Sequence, residues 1–104
     1  MQNCSIVGYI DEIEPTVERS AGTGRMYITQ HFWLKWTPDN NRTILRTRFE
    51  ASASLIGLLP GLDLSLPVVV TFDPVTLTYI KQNGEMGSSN VFKAFRAENA
   101  QAKI

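Results

Sequence analysis

Short runs in which apolar and polar residues alternate, each closed by a turn signal, make up most of this chain. Residues 4–14, CSIVGYIDEIE, alternate in part and are rich in β-branched and aromatic side chains, which predicts a first strand. Gly8 within it predicts a bulge or a sharp curve. Residues 25–36, RMYITQHFWLKW, predict a second strand, and the turn cluster TPDNN leads to a third, RTILRTRFEA, at 42–51. So short a connection pairs the second and third strands as a hairpin. In SASLIGLLPG the apolar residues Leu55, Ile56, Leu58 and Leu59 fall at helical spacing, with Ser52 or Ser54 as cap and Pro60-Gly61 as terminator, so one short helical turn is expected. LPVVVTF at 66–72 predicts a buried fourth strand, with a bend or break at Asp73-Pro74. VTLTYIK and NVFKAFR flank QNGEMGSS, where Asn83-Gly84 signals a hairpin turn, and the polar residues 97–104 are expected to fray. The order predicts an all-β chain, one domain over 1–104: a five-stranded OB-type barrel with a short helical turn between strands 3 and 4 and a protruding hairpin. An SH3-like barrel and a small sandwich are the alternatives.

The second strand carries large side chains on both faces. Even positions read Met26, Ile28, Gln30, Phe32, Leu34 and Trp36, an apolar set expected to face the core. Odd positions read Tyr27, Thr29, His31, Trp33 and Lys35, aromatic and cationic. The third strand divides likewise, with Leu45, Thr47 and Phe49 on one face and Arg42, Ile44, Arg46 and Arg48 on the other. With both outer faces on one side of the hairpin, Tyr27, His31 and Trp33 lie beside Arg46 and Arg48. Such a surface suits single-stranded nucleic acid, since bases stack on aromatic rings irrespective of sequence while cations track the phosphates. In OB folds this is also the expected location, together with the loops joining strands 1 to 2 and 4 to 5. A peptide- or partner-binding surface is the rival reading, and salt dependence separates the two.

Net charge is zero, but its distribution is not even. Residues 1–18 carry Asp11, Glu12, Glu14 and Glu18 and no base; residues 19–48 carry six bases, Arg19 and Arg25 among them, to one acid. The local field, not the total, steers a polyanion. The acids near the N-terminus read as a solvated edge, or as groups that face the bases of a neighbouring protomer. Hydrophobic residues form 43% of the chain, enough for a modest core, and no apolar run approaches the roughly 18 residues of a membrane span. The single Cys4 and the absence of a signal-peptide pattern point to the cytoplasm. One His, one Cys and no Gly-Lys-Ser/Thr after AGTGR leave no metal site, cofactor site or P-loop, so no enzymatic activity is expected.

The stretch ERSAGTGRMYITQHFWL, followed by TILRTRFEAS, LPGLDLSLPVVV and VFKAFRAE, resembles the single-stranded DNA-binding proteins of filamentous bacteriophages over roughly residues 16–96. That resemblance implies an OB-type barrel, a homodimer and cooperative coating of single-stranded DNA, in the host cytoplasm for a viral protein. It implies Arg19, Arg25, Tyr27, Arg46 and Arg48 as contacts, and dimer or DNA contacts on the hairpin at Asn83-Gly84 with Phe92 or Phe95 nearby. The opening IVGYIDEIEP is similar to bacterial single-strand-binding and primosomal OB proteins, the close alternative. The candidate nucleic-acid contacts are therefore Arg19, Arg25, Tyr27, His31, Trp33, Lys35, Arg46 and Arg48, with single-stranded DNA or RNA as the partner.

Overall fold

Strand β1 (Cys4–Ile13) is the seam on which the barrel closes, hydrogen-bonding to one neighbour along its first half and another along its second. The computed structural model describes residues 4–20, 22, 24–38 and 43–100, and of residues 77 and 79 the backbone alone. Five strands form a closed barrel: β1, then β4 (His31–Trp36), β5 (Leu45–Ala51), β7 (Met86–Asn99) and β6 (Val68–Ile80), which returns to β1. All contacts are antiparallel except β5 with β7, a short parallel pairing of Glu50 with Lys93 and Ala51 with Ala94. This is the OB-type barrel expected from the strand order. A separate hairpin, β2 (Val17–Ser20) with β3 (Met26–Thr29), stands between the first and second barrel strands.

Alternation builds the core. Phe32 and Leu34 of β4, Phe49 of β5 and Val68 and Val70 of β6 are fully buried. Phe49 sits at the centre, stacked on Phe32 at 5.5 Å between ring centroids and edge-on to Phe72 at 4.9 Å; Phe92 closes the cluster at 5.6 Å from Phe72. The helical turn α1 (Ala53–Ile56) packs against β7, β5 and β3, and Leu55 with Leu59 from the following 3-10 turn (Leu59–Gly61) seals the barrel end. Ser52 is the cap residue of α1, without a side-chain hydrogen bond to it, and Pro60-Gly61 lies in the 3-10 turn, not at the end of α1.

The bulge in β1 is at Asp11, not at Gly8: the register with β4 shifts between Ile10 and Glu12. Gly8 instead permits a close approach, since a Cβ there would stand 2.2 Å from the carbonyl oxygen of Lys35.

Four other expectations change. The predicted second strand is two, β3 and β4, parted at Gln30, whose backbone oxygen accepts from Ala51 N at 2.8 Å and whose side-chain amide donates to Glu14 O at 2.9 Å. The β2–β3 hairpin extends past the barrel end, so Met26 and Ile28, expected inside, are more than half exposed. Asp73-Pro74 does not break β6. Past Phe72 the strand has β7 alone as neighbour among the described residues, so the missing proline N–H falls where no described second ladder requires it. The β6–β7 ribbon therefore runs on to a turn in which Gly84 takes φ 86°, and it accounts for the molecule's elongated dimensions of 54 × 31 × 25 Å. Residues 97–99, expected to fray, belong to β7, and the Asn99 side chain clamps Asp63 by donating to its backbone oxygen at 2.8 Å and accepting from its N–H at 2.9 Å. Arg42, part of the TPDNN turn and residues 101–104 lie outside the described residues.

Gly8→Ala is expected to lose about 1–3 kcal/mol in urea denaturation, because the methyl group meets backbone that must move. Gly57→Ala, where nothing lies within 4 Å and φ is −71°, serves as the control and is expected to be neutral or stabilising by up to about 1 kcal/mol.

Candidate nucleic-acid interface

The bulge at Asp11 decides what the outer face of the barrel looks like. Ile10 points inward opposite Leu34, and Ile13 points inward opposite Phe32, three residues on. Strict alternation would bury Glu12 and expose Ile13; one extra residue restores the phase and turns Glu12 and Glu14 outward. They meet the outward residues of β4 and β5, whose register sets Trp33 beside Arg48 and Lys35 beside Arg46.

An ion-pair network covers this face. Arg48 grips Glu14 with two hydrogen bonds, Nε at 2.8 Å and Nη2 at 2.7 Å, and the Trp33 indole N–H donates to the same carboxylate at 2.7 Å. Arg46 bonds Asp11 through Nε and Glu12 through Nη2 at 3.2 Å, and its guanidinium lies over the Trp33 ring at 4.4 Å. Lys35 reaches Asp11 at 3.4 Å. The hydrogen bonds from Arg48 hold the Glu14 carboxyl at about 2, with the Trp33 N–H adding to the effect. Those from Arg46, then Lys35, lower Asp11. Asp11, Glu12 and Glu14 thus pair, within the chain, with bases expected to be free.

Beside this face lies a groove of about 780 Å³, bounded by the β2–β3 hairpin, the end of β5 and the outer side of β7. Arg19 and Tyr27, paired across the hairpin, form one wall. The Arg19 Nε donates to Thr29 Oγ1 at 3.4 Å, and Tyr27 is 48% exposed. Phe95, 40% exposed, lines the groove from β7. Its floor follows the register: His31, Glu50, Lys93 and Asp73 stand side by side on four successive strands. Glu50 is shared by His31 at 3.8 Å and Lys93 at 3.9 Å. Burial, then the neighbouring Arg48, lowers the His31 pKa and so favours its neutral form.

The structure therefore splits the predicted contact set. Arg19, Tyr27, His31 and Arg48 line the groove; Trp33, Lys35 and Arg46 form the neutralised sheet beside it, and Arg48 joins the two. Arg25 is exposed beyond the groove near the hairpin turn and has no ion pair among the described residues. Phe92 points inward to the aromatic cluster, leaving Phe95 as the exposed ring near the barrel. Lys93, Glu50 and Asp73 were not among the candidates, and Phe95 was named only beside the Asn83-Gly84 hairpin; the parallel closure of β5 on β7 brings Lys93 to Glu50 across more than forty residues. Among the described residues no group of three His, Cys, Asp or Glu is placed to hold a metal ion, and no helix is long and apolar enough to cross a membrane.

This architecture occurs in known proteins. Two crystal forms of the mitochondrial single-stranded DNA-binding protein Rim1 from S. cerevisiae superimpose on it, one with TM-score 0.63 and 13% identity over 98% of this chain and 97% of that one. The other gives 0.61 and 14% over 98% of both. The two proteins share a fold. At this identity the likeness extends no further, and no family model and no curated protein matches the chain.

The Glu14 carboxyl is expected to titrate in NMR with a midpoint of about 2, rising toward 4.5 in Arg48→Ala. Because its pKa is depressed on folding, the stability it lends is present above pH 4.5 and disappears as pH falls through 2. Acid unfolding of Glu14→Gln should accordingly be shallower than wild type across that window.

Proposed function

We propose that this protein binds single-stranded DNA without strong sequence preference, coating replicating or displaced strands, and that it is not an enzyme. The observation that carries the reading is the groove itself: an open channel with Tyr27 and Phe95 available for stacking and Arg19, Arg48 and Lys93 along its walls and floor. It lies on the barrel face and against the first interstrand hairpin, where OB folds take oligonucleotides. Rim1, whose fold this chain shares, is a single-stranded DNA-binding protein, and that likeness favours the cellular single-strand-binding proteins over the filamentous phage proteins as the nearer relatives. RNA is the second ligand this surface accommodates, since stacking and phosphate contacts do not require deoxyribose.

In this reading Arg48 exchanges Glu14 for a phosphate, and Arg25 folds over the backbone from the hairpin end. Tyr27 stacks on a base. Trp33, covered by Arg46, supports the guanidinium and does not itself stack until Arg46 moves. A homodimer belongs to the proposal. Val7, Tyr9 and Ile44, 54%, 49% and 73% exposed, flank a second, more apolar groove that an interface would cover.

Oligo(dT) is expected to bind far more tightly than duplex of equal length; equal affinity removes the proposal. In a fluorescence titration over a salt series, Tyr27→Ala should cost about 1–3 kcal/mol with the salt slope unchanged. Arg25→Ala should flatten that slope by about 0.7, the value for one lost phosphate on a single strand. Wild-type binding by Tyr27→Ala at every salt concentration would make that ring a packing residue.

A further inference from the structure

One polar atom in the groove lacks what its burial requires. Asp73 Oδ1 is sealed from solvent and has no hydrogen-bond partner among the described residues. An acceptor left so is costly, the more so for a carboxylate. Its cross-strand neighbour Lys93 does not supply the donor, because its ammonium leans the other way, to Glu50 at 3.9 Å. Asp73 nonetheless lines the groove, with Tyr27 and Phe95 also on its walls. The last torsion of an aspartate is soft, so rotation of the carboxylate is the way an oxygen of this residue turns toward the groove that it lines.

The chemistry restricts that occupant. A phosphate is repelled by a carboxylate. A metal cation is disfavoured by Lys93 next to Asp73 and by Arg48 in the same groove. What remains is a neutral group with N–H donors and a flat face, held among aromatic rings: the edge of a nucleobase. We infer that Asp73 reads one base of the bound strand, accepting a hydrogen bond from an exocyclic amino group, and so favours cytosine over thymine at that position. At the position where cytosine offers its N4 amino group thymine presents O4, acceptor against acceptor, and the thymine N3–H lies beside that position, not at it. The other bases of the strand are held by stacking and phosphate contacts, which carry no such preference. The inference rests on the single-strand-binding reading and adds one base-reading subsite to it.

Oligo(dC) and oligo(dT) of equal length, titrated at pH 8 and one salt concentration, provide the test, because ring size and phosphate charge are matched. Wild type is expected to bind oligo(dC) about tenfold more tightly than Asp73→Asn does, relative to oligo(dT), the size of one hydrogen bond to a charged acceptor. Removing the negative charge alone would raise both affinities by the same factor and leave the ratio unchanged. On the intact protein, an oligomer of 2-pyrimidinone nucleotides, which lack the N4 amino group, should lose the advantage of oligo(dC) without any change to the fold. A dC/dT ratio that is the same in wild type and Asp73→Asn, or an advantage that persists with 2-pyrimidinone, overturns the assignment. If none of the oligomers binds, the single-strand-binding reading itself fails.

Discussion

One extra residue in β1 determines which charges meet on this barrel. Ile10 and Ile13 both belong inside, against Leu34 and Phe32, yet they are three apart, and a pleated strand buries every second residue. Burying both requires the bulge at Asp11. Once that hydrophobic demand is met, Glu12 and Glu14 have no direction left but outward, into the row of Arg46 and Arg48. The ion-pair network thus follows from core packing. A second slip of register, between Ile13 and Val17, separates β1 from β2 and swings the hairpin carrying Arg19 and Tyr27 over the end of β5, which makes the groove.

The consequence for binding is a division of labour. An arginine already held bidentately by a carboxylate, with a tryptophan N–H on the same oxygen, is not an open phosphate site, and a polyanion must displace Glu14 to use it. Exposed pairs of this kind are individually weak, so exchange is feasible, but each costs the ligand part of its electrostatic gain. The groove, with Tyr27 and Phe95 exposed and Arg19 held among the described residues only by Thr29, is where the proposed strand meets least internal competition.

Much of the fold was legible in the sequence because it rests on local signals. Alternation in β4 and β5 placed Phe32, Leu34 and Phe49 inside and Trp33, Arg46 and Arg48 outside. Asn83-Gly84 marked the ribbon turn, and helical spacing marked α1. The break at Gln30 was not legible, since it is made by hydrogen bonds to Glu14 and Ala51, residues 16 and 21 positions away. Pro74 misled because its cost depends on having a second neighbouring strand, and among the described residues β6 has none there. The acids of β1 were read as an edge because alternation carries no information about which strand lies alongside. The three-residue spacing of Ile10 and Ile13 was the one sequence signal for the bulge.

On this account the acids of β1, with Glu14 just beyond its end, hold the arginines of the proposed binding face in check. Glu14→Gln tests it most directly: the amide can still accept the Trp33 N–H, but it releases the Arg48 guanidinium. Titrated with oligo(dT) across a salt series, this variant is predicted to bind more tightly than wild type with a similar log–log slope, because Arg48 reaches the same phosphate without first giving up Glu14. Unchanged or weaker binding by a folded Glu14→Gln would contradict the account.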